Sequence, residues 1–317
     1  MDWFGAADGG PMVATRAIHF AATAIVTGTL VFQAVVANPA LRSQEAAAKP
    51  FRTQTRYVAW ISLAVAVISG LAWVLLLTMS LSDESLGEAI TSGALRDVLN
   101  LTQFGSVSQI RLALAILLAF CLAFERSAFW RWLGLGAAVG LIASIAWTGH
   151  AASTPHKLGY LHLGADVLHL TAAAAWIGGL VPLALLLGAG KHHQGRAGLE
   201  LDVVRRFSAL GIASVATLIL SGIINAWILV GSFHALVITG YGQLLMLKLA
   251  VFAAMLAFAA INRLSLMPRL ALPSADTQQD ALRGLSRNTL IEIGFGLFLF
   301  AVVGVLGTLH PAAHLVQ

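Results

Sequence analysis

Eight long apolar stretches run through this chain, and they constrain its fold more than any other feature. They lie at roughly 12–37, 57–82, 108–124, 130–150, 160–188, 204–231, 241–262 and 288–309. About 20 mainly apolar residues are enough for one helix to cross the hydrocarbon layer of a bilayer. The sequence therefore predicts an all-α polytopic membrane protein with about eight transmembrane helices. Charged residues make up 10% of the chain, against about a quarter in soluble domains. The first 30 residues do not read as a cleavable signal peptide, because Asp2 and Asp8 precede the apolar run and no Lys or Arg does.

The basic residues alternate from loop to loop. Arg42, Lys49, Arg52 and Arg56 follow the first stretch, and Arg126 and Arg131 follow the third. Lys191, Arg196, Arg205 and Arg206 follow the fifth, and Arg263, Arg269, Arg283 and Arg287 the seventh. The opposite loops hold only Arg96 and Lys157. Since Lys and Arg gather on the cytoplasmic side, both termini are predicted to lie outside, in the periplasm of a bacterium whose inner membrane holds the chain. The net charge of +5 thus sits in short loops between apolar runs rather than on one face of a soluble domain, which argues against a nucleic-acid partner. The single cysteine, Cys121, lies within an apolar run and allows no intrachain disulfide.

The chain also repeats itself. Arg16-x-x-His19 with Gly28-x-Leu30 lines up with Asp166-x-x-His169 with Gly178-x-Leu180, at the same nine-residue step from His to Gly. Ser69-Gly70 before Ala72-Trp73 lines up with Ser221-Gly222 before Ala226-Trp227. Arg111 to Arg126 matches Lys248 to Arg263 in length and in its basic ends, and Thr148-x-His150 matches Thr308-x-His310. Two parallel four-helix repeats are expected, 1–158 and 159–317, related by a pseudo-two-fold axis along the membrane normal. A longer, mildly acidic and partly helical segment at roughly 83–107 sets the first repeat apart.

Histidines gather at the predicted outer side: His19, His150, His156, His162, His169, His234, His310 and His314, with only His192 and His193 in an inner loop. An ionisable group within a span is costly and faces the bundle interior or a partner. His162, Asp166 and His169 share one helix face. Two imidazoles and a carboxylate suit a borderline divalent transition metal, Cu²⁺ most tightly among the first-row ions. The alternative is a structural polar network in which Asp166 orients His169 or pairs with Arg16. His19, His150 and His310 are further candidate ligands, and His314, His156 and Met12 (the counterpart of His162) are weaker ones. Arg16, Arg111, Lys248, Asn225 and Glu292 are further polar residues within spans. Arg111 and Lys248 are placed to snorkel outward, Asn225 to bond between helices, and Glu292 to pair with an inner arginine such as Arg263 or Arg206.

The segment His169-Leu-Thr-Ala-Ala-Ala-Ala-Trp176-Ile-Gly178-Gly179-Leu180 resembles a helix of the copper-resistance D (CopD) membrane proteins. Arg206-Phe207-Ser208-Ala209-Leu210 and the run from Ser221-Gly222 through Tyr241-Gly242-Gln243-Leu244-Leu245 and Lys248 to Asn262-Arg263 are similar to the rest of their C-terminal region. The resemblance implies a bacterial inner-membrane copper protein, Cu²⁺ or Cu⁺ being its cargo, that acts with a periplasmic CopC-like partner. The chain departs from what a Cu⁺ conduit would want, with six methionines and no Cys-x-x-Cys. Two other readings stand beside a copper transporter. A membrane b-type cytochrome would hold bis-His haem b, its propionates on Arg16, Arg111 or Lys248. A copper chaperone or scaffold would bind the ion without moving it. Conventional enzymatic activity is not expected, since no nucleophile–base pair, phosphate loop or dinucleotide fingerprint is visible.

Overall fold

A computed structural model describes residues 9–42, 45–124, 127–149, 156–190 and 197–314. Helices account for every regular element among them, and no strand occurs there. Eight helices are long and apolar enough to cross a membrane: Gly10–Ala40, Ala48–Ser82, Gln103–Ala123, Ala128–Thr148, Lys157–Gly188, Gly198–Val230, Gly240–Arg269 and Ala275–Leu306. They are called spans 1 to 8 below. The third begins earlier than its hydropathy suggests, because Thr102 caps it: its hydroxyl accepts from the Gly105 amide at 2.9 Å, satisfying one of the four orphan donors of a helix start. The polar turn Gln103–Ser106 is thereby drawn into the helix.

Two ends of the bundle can be told apart by content. One carries His19, His162, His169 and His310, and is called the histidine end. The other carries Arg42, Arg131, Arg205, Arg206, Arg263 and Arg269, and is called the arginine end. At the histidine end the segment between spans 2 and 3 forms the short helices Leu86–Thr91 and Ala94–Leu101, in line with the helical tendency of that stretch. The shorter segment before span 7 forms Phe233–Ile238, and Thr239 caps span 7 as Thr102 caps span 3, accepting from the Gly242 amide at 3.0 Å.

Spans 1 and 5 are the central helices, with 67% and 61% of their apolar windows buried inside the protein, against 11% for span 7. They cross at two glycines. A Cβ on Gly28 would run into the backbone of Ala174 and Gly178, and one on Gly178 into the backbone of Ala24. Without a hydrophobic driving force between helices in lipid, such close approach of small residues is a main source of packing energy. Span 8 docks on span 1 in the same manner, Gly304 lying against Val13 and Ala17. Spans 1 and 5 each loosen into a π-helical turn, Gln33–Ala37 and Ala174–Gly178, and both turns precede a helical proline, Pro39 and Pro182. A proline removes one backbone donor and crowds the carbonyl four residues earlier, so a widened turn there relieves the clash.

Candidate functional site

His19 is buried in span 1, and its Nδ1 lies 2.9 Å from the Ala66 carbonyl and 3.1 Å from Ser69 Oγ, both on span 2. Ser69 Oγ gives its own proton to the Val65 carbonyl at 2.6 Å, so towards the imidazole it can only accept. Nδ1 is therefore the protonated nitrogen, and Nε2 carries the lone pair. The Thr23 hydroxyl stands 3.5 Å from Nε2 but spends its proton on the His19 carbonyl at 2.7 Å. The result is a buried imidazole whose free lone pair is fixed by its surroundings, the state in which histidine ligates metals.

His169 on span 5 is held in the same way by span 6. Its Nδ1 is 3.0 Å from Ser221 Oγ, which donates to the Thr217 carbonyl at 2.6 Å. A glycine beside each serine makes room for the ring: a Cβ on Gly70 would sit 3.3 Å from His19 Cε1, and one on Gly222 would sit 3.5 Å from His169 Cε1. The Ser-Gly pairs of the sequence are thus imidazole cradles.

The walls of the two cradles differ. One turn beyond Ser69 comes Trp73, and one turn beyond Ser221 comes Asn225, so these two residues occupy matching positions. This corrects the alignment of Trp73 with Trp227, which lies six residues past its serine and is 63% exposed. Around His19, the guanidiniums of Arg16 and Arg111 lie 5.2 and 5.4 Å from the Trp73 ring, and Phe104 packs edge-on to Trp73 at 5.3 Å. Around His169, Asn225 Nδ2 donates to Asp166 Oδ1 at 3.2 Å, Lys248 acts electrostatically on both Asp166 and His169, and Tyr241 feels Asp166. One cradle is walled by aromatics and two cations, the other by an acid, an amide, an amine and a phenol.

The chain matches two family models, copper resistance protein D over residues 201–306 and the copper resistance protein D-like N-terminal domain over residues 7–160. Copper resistance protein D of Pseudomonas syringae pv. tomato is 30% identical over 269 residues, 83% of this chain and 84% of that protein. The chain belongs to the copper resistance protein D family. Two further relatives are copper transport protein CutJ of Bacillus subtilis (strain 168), 30% identical over 303 residues, and inner membrane protein YebZ of Escherichia coli (strain K12), 27% identical over 304 residues. These alignments take in 93% and 94% of this chain, which spans about half the length of CutJ (52%) and 98% of YebZ. No solved structure matches it. His19, Trp73 and Arg111 fall in one matched segment and Ser221, Asn225 and Lys248 in the other, while His162, Asp166 and His169 lie between the two.

The remaining sequence candidates are spread along the site. His162 is buried, as is Met12 in the corresponding place on span 1. From His162 to His169 the helix rises about 10 Å, so the two rings stand one above the other along span 5. Among the described residues no group of three or more His, Cys, Asp or Glu stands close enough to hold a metal. His310 is exposed beyond span 8. His150 lies outside the described residues, as do the side chains of His156 and His314.

Three expectations for the polar residues are corrected. Arg16 donates from Nη1 to the Gly307 carbonyl at 2.8 Å, at the C-terminal end of span 8, where a helix favours a cation; Asp166 accepts from Asn225 instead, with Lys248 near enough to act on it electrostatically. Arg111 does not snorkel but is buried beside Trp73. Glu292, near the arginine end, accepts from Asn262 Nδ2 at 2.7 Å rather than from an arginine. Arg263 follows Asn262 by one residue, about 100° around the helix, so it turns away and donates to Ser208 Oγ at 2.6 Å. Arg206 pairs with Asp202 of its own helix at 2.9 Å.

The sequence marks the two histidines but not what holds them. Ser69 and Ser221 are visible there as repeated letters, and only the geometry shows them to be imidazole partners. The Thr102-x-x-Gly105 and Thr239-x-x-Gly242 caps each stand nine residues before the cation, Arg111 or Lys248, a spacing that the sequence alone displays.

Proposed function

We propose that this protein handles copper as a cargo at the histidine end of the bundle. The observation that carries the reading is the pair of imidazoles, buried His19 and partly buried His169, each with Nδ1 tied to a serine and Nε2 left as a free lone pair. Family membership supplies the ion. Copper would be received at His162, Asp166 and His169, with His19, His150 and His310 as further ligands, and passed on between spans 1 and 5. His162 and His169, two turns apart on one face of span 5, act in this reading as successive sites one above the other. The protein acts as a carrier rather than as an enzyme.

The same reading takes the chain as two parallel four-span repeats, 1–158 and 159–317. It is supported by the recurring cradles, by the recurring threonine caps and by the contact of Gly28 with Gly178. It takes the arginine end as cytoplasmic and both termini as periplasmic, supported by the distribution of Lys and Arg, and the inner membrane of a bacterium as the location. A periplasmic copper-binding protein of the CopC kind would deliver the ion to the histidine end.

Copper content and copper uptake, measured in the native protein and in a His162→Ala/His169→Ala variant, test the site. The variant is expected to lose both; unchanged values in both would refute the assignment. Copper binding that persists with no flux into proteoliposomes would favour a chaperone or scaffold role instead.

One observation favours haem b as a second reading. An axial haem histidine also needs a protonated, hydrogen-bonded Nδ1 and a free Nε2, and Arg111 Nε and Nη2 have no hydrogen-bond partner among the described residues, which suits a propionate. A Soret band in the purified protein would decide for this reading.

A further inference from the structure

The arginine end holds a second candidate site, unrelated to copper. A cavity of about 220 Å³ opens where the end of span 1, the end of span 3 and the start of span 4 meet. Its lining divides by chemistry. Leu30, Leu122 and Leu135 make an apolar floor, Trp130 and Trp132 stand beside it, and Arg42 and Arg131 supply two positive charges. Both arginines are exposed, and neither forms an ion pair among the described residues.

The cavity follows from the sequence. The π-helical turn Gln33–Ala37 ahead of Pro39 widens span 1 at this level. Gly134 lets span 4 close onto span 3 at Cys121, where an added Cβ would stand 3.0 Å from that of the cysteine. The two spans therefore meet tightly beside the gap. Trp132 is 64% exposed and Phe129 65%, as expected of aromatics at a bilayer interface, where amphipathic rings anchor.

We propose that this cavity binds one anionic phospholipid of the leaflet at the arginine end. The phosphate of its headgroup would lie between Arg42 and Arg131, and the upper part of one acyl chain against Leu30, Leu122 and Leu135. Charge complementarity selects the occupant: two unpaired guanidiniums beside an apolar slot at membrane depth suit a group that is anionic at one end and aliphatic at the other. A soluble anion would leave the slot unfilled, and a zwitterionic lipid would bring its ammonium group towards the arginines.

The purified full-length protein is reconstituted in vesicles that contain equal amounts of phosphatidylglycerol and phosphatidylcholine, only one of the two carrying brominated acyl chains. Tryptophan quenching is then compared, the share due to Trp130 and Trp132 being identified by their replacement with Phe. Quenching of that pair by brominated phosphatidylglycerol is expected to exceed quenching by brominated phosphatidylcholine severalfold. The excess should vanish in Arg42→Gln/Arg131→Gln. It should also vanish in Ala34→Phe, a change on the lining of the cavity that fills the slot and keeps both charges and both tryptophans. Equal quenching by the two lipids in the native protein would overturn the proposal, as would an excess that survives loss of both arginines.

Discussion

Gly28 and Gly178 touch: a Cβ built on Gly178 would lie 3.2 Å from the Gly28 Cα. Each glycine stands nine residues after a cradled histidine, His19 or His169. In the proposed two-repeat arrangement, this contact of matching residues lies on or near the axis that relates the units, as at an isologous interface. Each imidazole sits about 13 Å along its helix from that contact.

That contact predicts the effect of a single methyl group. Gly28→Ala or Gly178→Ala places a Cβ against backbone, which a rotamer change cannot relieve, so spans 1 and 5 must separate. Overpacking of this kind costs about 1–3 kcal/mol, and each variant should show a lower thermal midpoint in detergent. The double variant should lose less than the sum of the two, since one separation of the helices accommodates both methyl groups.

The serines predict a graded loss in ligand strength. Ser69→Ala and Ser221→Ala remove the hydroxyl partner of Nδ1 while leaving the ligating nitrogen in place. Loss of such supporting partners weakens metal binding about 10- to 100-fold. Copper titration of each variant should show that drop with the fold intact by circular dichroism, and unchanged affinity would mean the cradles do not serve binding.

Asp166 and Lys248 should prove energetically coupled. Asp166→Asn leaves the Lys248 ammonium beside His169 without its counter-charge, and a nearby cation opposes a metal ion at that ring. Copper affinity should fall, and Lys248→Met in the same chain should restore part of it. A double-mutant cycle of copper affinities reads the coupling, expected at about 0.5–3 kcal/mol; additive effects would show that the two residues act apart.

Glu292 separates stability from cargo binding. Glu292→Ala strands the partly buried Asn262 amide, which now donates to the carboxyl at 2.7 Å, at a cost of about 1 kcal/mol. The thermal midpoint should fall while copper affinity at the histidine end stays as it was.

The spans are legible in the sequence because apolar length alone decides them, and His19 and His169 because they recur at one spacing from a glycine. The cradle partners are not. A serine i−4 hydroxyl bond looks the same in any helix, and its use as an acceptor appears only once span 2 lies against span 1. Pairing Trp73 with Trp227 fails because letter identity overrides helical phase: four residues from each serine lead to Trp73 and Asn225, one face of the helix. An arginine partner for Glu292 fails because charge complementarity ignores direction, and Arg263 points about 100° away from the asparagine that meets the acid.

The central claim is tested most directly by elemental analysis and an absorption spectrum of one purified sample, with the native protein beside His19→Ala/His169→Ala. Copper bound by the native protein and absent from the variant, with no Soret band in either, is the predicted result. Equal copper in both, or a Soret band that disappears with the two histidines, would contradict it.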